Sequence, residues 1–570
     1  MRIMNLKAIH SKELVRSALK TMPYMIMVCL FVSCLWPYAG DEPFDMKSVI
    51  KRLSFSTLAG GLLVISCVLG WMKDRNVLSK RMMTLFVFLT IILLFLVAQG
   101  VTFCDMLSFI AFSLLLFSLY RCRIFCENID GFVSVCLLGS GAFCVLVVLA
   151  QLTFKKSYAE ICFDSVTEWC VPVVVSYAIV ANLLFQEKRN RYIFLYLCIM
   201  CVIVVVIAFV GSRNSLLSIC VVSIIRFKKT YKIAALLFVL IFLMVTAKCE
   251  KQESSLGRIF ISTTSLSMLE SSKEILLGRG AYSFENEYML FQERKLRKMD
   301  FATRQRADEI AHPLNEYIYM AVNFGMLFLI AFLCLLVLFV FCHPNDMHRD
   351  ILISIMILSL FSYPLAYPIV WSIVAWCLSC DGDTQGLDGH KGLNKNIAIL
   401  FVCLGCFLIV NSYRLARAYG LWVKSYNSFL IGNRSKAMAL YALLGKEMGE
   451  TPYFTFNHAS LLLYSGEGKK ALSVMKTCKR SNYETSMLMG DIYVSLHDYH
   501  RAHEYYDLAY GMCPNRFTPL YKKYLIYKKR NDKIRKKQMC EKILSKPIKI
   551  ESKNVNEILK SVKQEIRVEE

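Results

Sequence analysis

The stretch Ala311-His312-Pro313-Leu314-Asn315-Glu316-Tyr317 closes a polar segment and opens an apolar run that continues to Cys342. Its two sides set the architecture. Downstream, a run of about twenty or more apolar residues is what a hydrocarbon core demands of a crossing helix. Upstream, residues 248–314 are dense in charge, which keeps that segment in water. Packing gives no reason for a histidine and an asparagine where water meets lipid. The junction therefore points to chemistry at a membrane surface.

Outward from this junction the same pattern recurs. Apolar runs at 22–38, 58–72, 83–100, 103–120, 132–154, 171–185, 192–210, 216–225, 233–247, 351–380 and 397–412 reach, or nearly reach, membrane-spanning length. The chain has 570 residues and is 56% hydrophobic, which excludes an ordinary soluble protein. Only helices and closed barrels satisfy the backbone inside lipid. Strands of a barrel would alternate, whereas these runs are apolar on every face. The expectation is an all-α polytopic membrane protein of about twelve or thirteen helices over 1–413, with 248–314 as a large outer loop. The first run follows Lys7, Lys12, Arg16 and Lys20 and lacks an Ala-x-Ala cleavage site, so it reads as a signal anchor.

A net charge of +24 raises the question of nucleic acid, and its placement answers it. Cations gather at the N-terminus, 73–81, 121–123, 188–191 and 226–232, while the intervening loops 41–45 and 160–168 are acidic or small. That alternation is the positive-inside pattern. It sets the N-terminus in the cytoplasm and both 211–214 and 248–314 on the outer face, with no nucleic-acid partner. The 23 cysteines include Cys198/Cys201, Cys377/Cys380 and Cys403/Cys406 at metal-type spacing. The first and third pairs lie in apolar spans without the partners that zinc or redox work needs, so cysteine reads there as a small apolar helix residue.

Beyond Ser412 the composition turns polar and rich in Lys and Tyr. Ala437, Ala471 and Ala502 close three similar segments at spacings of about 34 and 31 residues. The third copy adds Gly490, Tyr493, Tyr499, Tyr505, Ala509 and Pro514. Residues 420–547 thus resemble tetratricopeptide repeats, an α-solenoid, with a fourth, degenerate unit at 519–547 and a charged tail at 548–570. Such stacks usually bind peptides or proteins. His497, His500 and His503 read as repeat surface, a metal site being the lesser reading. The side of the membrane carrying the repeats turns on 351–380. One helix there places them in the cytoplasm. Two helices hinged at Pro364 and Pro368 place them outside, and prolines at that spacing favour the break.

Three outer-face residues carry potential chemistry. Arg213 in Gly211-Ser212-Arg213 lies between apolar runs, where a bare guanidinium costs about 2.5–3.5 kcal/mol unless paired or wet. Arg258 opens a helix in the outer loop. His312 ends the loop, with Asn315 close behind. Planar guanidinium donors clamp phosphates, and a neutral imidazole accepts a proton near neutral pH. The plain alternatives are a snorkelling Arg213, an Arg258 that is one loop cation among many, and a His312-Pro313 that merely starts a helix.

In order and topology, Gly211-Ser212-Arg213, Arg258, Gly278-Arg279-Gly280 with Phe284, and His312 through Tyr317 with Gly325 resemble the O-antigen ligase and polymerase superfamily. The resemblance covers about 192–378 and implies an inner-membrane glycosyltransferase acting at the periplasmic face. It implies a donor glycan on undecaprenyl diphosphate and an acceptor hydroxyl on lipid A-core or a protein, with neither metal nor cofactor. Arg213 and Arg258 would bind the diphosphate, and His312 would act as catalytic base in an inverting transfer. Ser212, Gly278, Gly280, Asn315 and Glu316 would support them. The chain departs from the family pattern at Leu314, often His, and around Asn323, where an acidic residue is frequent. Glu285, Glu287 and Glu316 remain alternative bases. Ligase action is the leading expectation, followed by a polymerase or a protein O-oligosaccharyltransferase, then a non-enzymatic transporter or scaffold.

Overall fold

Inside lipid a chain hides its backbone by coiling, and the runs above do so in a computed structural model that describes residues 2–36, 46–73, 80–154, 163, 165–226, 252–341, 343–380 and 395–569. The expected span at 233–247 and the acidic loop at 41–45 lie outside these residues. The protein is an all-α polytopic membrane protein with a helical C-terminal region, and its described residues contain no strand. In chain order come α1 (Arg2–Leu35), α2 (Met46–Lys73), α3 (Lys80–Ala98), α4 (Phe103–Phe125), α5 (Ile129–Phe154), α6 (Val166–Gln186), α7 (Asn190–Val210) and α8 (Arg213–Arg226). The polar loop supplies α9 (Gln252–Leu266), α10 (Ser272–Leu277), α11 (Ser283–Leu296) and α12 (Phe301–Arg306). Then follow α13 (Glu316–Phe341), α14 (Asp346–Phe361), α15 (Pro368–Leu378) and α16 (Lys395–Leu430). The remainder is α17 (Arg434–Met448), α18 (Pro452–Tyr464), α19 (Gly468–Met475), α20 (Tyr483–Ser495), α21 (Tyr499–Met512), α22 (Thr518–Lys529), α23 (Lys533–Leu544) and α24 (Lys553–Glu569). Among the described residues eight helices, α2 to α7, α13 and α16, are long and apolar enough to cross a membrane.

The helices fall into two units, one of Met1–Lys251, Asn315–Tyr317 and Leu329–Arg417, the other of Gln252–Leu314, Ile318–Phe328 and Ala418–Glu570. In the first, the membrane unit, α6 is the enclosed element: 83% of its apolar window is buried, against 17% for α3 and 22% for α7. The run at 351–380 is two helices. α14 ends at Phe361, a short 3-10 turn spans Pro364–Ala366, and Pro368 starts α15, where its missing N–H costs nothing. The pair is a hairpin. The His343 ring meets the Cys377 carbonyl at 2.9 Å, and His348 packs edge-on to Trp376 at 4.4 Å. Arg123 donates to the Trp376 carbonyl, and Arg81 to that of Cys380. Residue 380 is thus back at the basic end of the unit. From there α16 sets out, with Phe401 stacked on Phe117 at 4.2 Å and the backbones of Gly405 and Gly60 in contact.

In the second unit the loop helices and the C-terminal helices share one core. Phe284, Tyr288 and Met289 of α11 pack with Ala509, Met512 and Cys513. Buried Gln292 donates to the Met512 and Asp308 carbonyls, both at 2.9 Å, and the Ser481 N–H donates to the Asn286 carbonyl at 2.8 Å. Arg516 pairs with Asp308 at 3.0 Å. Such a core requires loop and stack to lie on one side of the membrane. Within the stack, helices pair through small residues: Ala437, Ala471 and Ala502 are fully buried, and Gly490 leaves room for the Tyr506 ring. Residues 553–569 form α24, which covers the end of the stack with Ile558 and Val562.

Candidate functional site

The junction that opens α13 is built by its own side chains. The Asn315 side-chain Oδ1 accepts from the Tyr317 N–H at 2.9 Å and caps the helix, while its Nδ2 donates to the Leu360 carbonyl at 2.8 Å. The buried Glu316 carboxylate accepts from the Leu365 N–H at 2.8 Å, and the Tyr317 hydroxyl donates to the Met356 carbonyl at 3.0 Å. Three successive residues therefore tie the start of α13 to the last turns of α14 and, through Glu316, to the turn that follows it. The Gly211-Ser212-Arg213 turn arrives at the same place. Gly211 ends α7 in the left-handed region at φ 74°, Ser212 bonds Ser215 at 2.8 Å, and Asn214 donates to the Phe361 carbonyl at 3.2 Å. Half-buried Arg213 is the first residue of α8. In the membrane unit, then, Asn214, Asn315 and Glu316 bond to residues 360–365, and Ser212 and Arg213 directly precede Asn214 in the chain.

Next to this turn lies a polar network that sequence reasoning missed. Lys51 and Glu168, 2% and 1% exposed, form an ion pair at 2.8 Å. The Tyr367 hydroxyl donates to Ser165 at 2.6 Å, and Thr167 pairs with Ser362. Removing one partner from a buried ion pair leaves an uncompensated charge and costs several kcal/mol. The available signal was a lysine within the long helix that carries an apolar span and a glutamate at the head of another.

The second unit holds Arg258, Gly278, Gly280 and His312. Arg258 is on α9 with its side chain exposed. The glycines serve a break in α13. At Gly325 the backbone leaves the helix (φ 86°, ψ 169°), which strands carbonyls one turn earlier. The Arg279 and Gly280 N–H groups donate to the Val322 and Asn323 carbonyls, both at 3.0 Å, and replace the lost bonds. A Cβ on Gly278 or Gly325 would collide with the facing backbone. Asn323, fully buried, accepts from the Phe284 N–H at 3.0 Å, so an amide here ties the start of α11 to the break. Arg279 is spoken for by Glu274, Glu287 and the Met268 carbonyl at 2.6–2.9 Å, which also commits Glu287.

Half-buried His312 lies against Tyr319, ring centroids 6.2 Å apart, and the Tyr319 hydroxyl donates to Glu285 at 2.7 Å. Leu314 and Tyr282 beside them have φ of 57° and 64°, a region that costs a residue with a Cβ about 1–2 kcal/mol. Strain held at two bulky residues around one His, Tyr and Glu set suits a functional site. Imidazole and carboxylate can each take a proton from a hydroxyl. The histidines of the stack do not form a set: His497 meets Tyr499, His500 meets Glu504, and His503 stacks on Tyr527. No protein-family model and no curated protein matches the chain.

Proposed function

We propose that the protein transfers a glycan from an undecaprenyl-diphosphate carrier to an acceptor hydroxyl at the outer face of the membrane in which it sits, in the manner of an O-antigen ligase acting on lipid A-core. The observation that carries the reading is the meeting of the Arg213 turn and the Asn315-Glu316 helix start on residues 360–365, with His312 three residues before Asn315. A guanidinium at such an end suits a diphosphate leaving group, whose charge grows as the glycosidic bond breaks. Arg258 serves as its second cation. His312 takes the acceptor's proton, with Tyr319 and Glu285 beside it. Glu316 already holds the Leu365 N–H, and Glu287 holds Arg279, so neither suits the base.

A second reading, transfer to protein, draws on the core shared by the loop and the tetratricopeptide-like helices, which would bring a bound polypeptide to the loop. In a strain lacking its own copy, Arg213→Ala, Arg258→Ala and His312→Ala should each abolish the capped glycolipid while the protein stays in the membrane. Unchanged glycolipid ladders in all three would refute the proposal. Bare glycoproteins with intact glycolipid would select the second reading.

A further inference from the structure

The turn joining α22 to α23 carries more positive charge than its fold can use. Lys528, Lys529, Arg530, Lys533, Arg535 and Lys537 are all exposed, and Asp532 is the single acid between them. Lys528 pairs with Glu565 at 2.6 Å and Arg535 with Asp532 at 3.7 Å. Arg530 lies over the Tyr499 ring. Among the described residues no carboxylate is within ion-pairing distance of Lys529, Arg530, Lys533 or Lys537. Lys533, Arg535 and Lys536 also occupy the first turn of α23, where the helix dipole is positive and cations are unfavourable. Cations on the last turn of α22 are favourable by the same rule, so α23 is where the sequence works against its own helix. In their midst Ile534 is 75% exposed.

We propose that this turn docks on anionic lipid headgroups of the membrane that anchors the chain. Charge complementarity selects an anionic partner, since lysine and arginine are drawn to an anionic leaflet. The exposed isoleucine among the cations selects lipid, because an apolar side chain gains by entering the headgroup and acyl boundary and gains nothing from a dissolved polyanion. The stack follows the membrane-spanning α16 along the chain, so the surface is always within tether reach and weak contacts suffice. The proposal does not rest on the glycan-transfer reading.

The test compares the full chain in nanodiscs of phosphatidylcholine alone with nanodiscs containing phosphatidylglycerol, reading lysine reactivity toward reductive methylation by mass spectrometry. Lys529, Lys533 and Lys537 should react severalfold more slowly in the anionic discs, and the difference should vanish at high salt. Exposed Lys469 and Lys470 serve as internal controls. Ile534→Asp should remove most of the protection, and a triple Lys529→Glu, Lys533→Glu, Lys537→Glu variant should lose lipid dependence at its remaining cations. Equal reactivity in both discs would overturn the proposal. So would protection by dissolved polyglutamate with none from phosphatidylglycerol, which would identify an acidic protein partner. The wild-type comparison stands even if the triple variant fails to fold.

Discussion

At the scale of residues, the chain spends glycine where two backbones must touch. Gly325 adopts φ 86° and ψ 169° with the 276–278 backbone against it, so Gly325→Ala combines a forbidden conformation with a collision. We expect a loss of about 2–4 kcal/mol, seen as a lower unfolding temperature in detergent. Gly139→Ala, a position with open space, should leave that temperature nearly unchanged. His503 makes a second residue-scale prediction. Burial, then Lys523, pushes its imidazole down to about 4, and its ring nitrogens have no hydrogen-bond partner among the described residues. The folded state therefore favours the neutral ring. Its contribution is complete above the unfolded value near 6.5 and is lost as pH falls from there toward 4. Half-exposure keeps the effect modest. Hydrogen exchange across α21 and α22 should rise over that window, and His503→Gln should flatten the rise. Asp308 loses its contribution at lower pH: burial alone would raise it, but the Glu309 N–H and the Arg516 guanidinium outweigh burial and hold it below the usual carboxylate range.

At the scale of elements, two broken helices differ in how far the sequence betrayed them. The hinge between α14 and α15 was legible, because Pro364 and Pro368 remove donors that a continuous helix needs. The break within α13 was not. Gly325 lies in an apolar run where glycine is ordinary, and the groups that replace its lost bonds come from Arg279 and Gly280, more than forty residues earlier in the chain. Lys51 and Glu168 were illegible as a pair for the same reason, being 117 residues apart. Glu316 shows how a candidate base becomes a fastening: its carboxylate takes the Leu365 N–H that opens the turn. Glu316→Gln keeps an acceptor and should retain both stability and turnover. Glu316→Leu leaves that N–H unpaired and should cost about 1–3 kcal/mol, detected as chymotrypsin cleavage after Phe361. A loss of turnover in Glu316→Gln with protease resistance intact would return Glu316 to the list of bases.

At the scale of the whole molecule, membrane class and helical stack were legible from apolar period and alanine spacing, whereas the partnership of loop and stack was not. Its contacts, Gln292 to Met512 and Asp308 to Arg516, join residues more than 200 positions apart, and neither side announces the other. Gln292→Leu should cost about 1–3 kcal/mol by leaving the Met512 and Asp308 carbonyls without their donor. Hydrogen exchange should then speed up in α11 and α21 together, since they share one core. Exchange rising in α11 alone would separate them. Asn214, Asn315 and Glu316 bond to residues 360–365, a meeting that the sequence did not announce, and Tyr319 was found only through its hydroxyl on Glu285. The central claim is glycan transfer from a diphosphate carrier. The direct measurement supplies the purified chain, in nanodiscs, with an undecaprenyl-diphosphate-linked glycan and lipid A-core, and follows release of undecaprenyl diphosphate together with glycan on the acceptor. The account predicts equal amounts of the two products from the wild type and loss of both with Arg213→Ala or Arg258→Ala. No acceptor-dependent release from the wild type, with lipid A-core or with a protein acceptor, would contradict it.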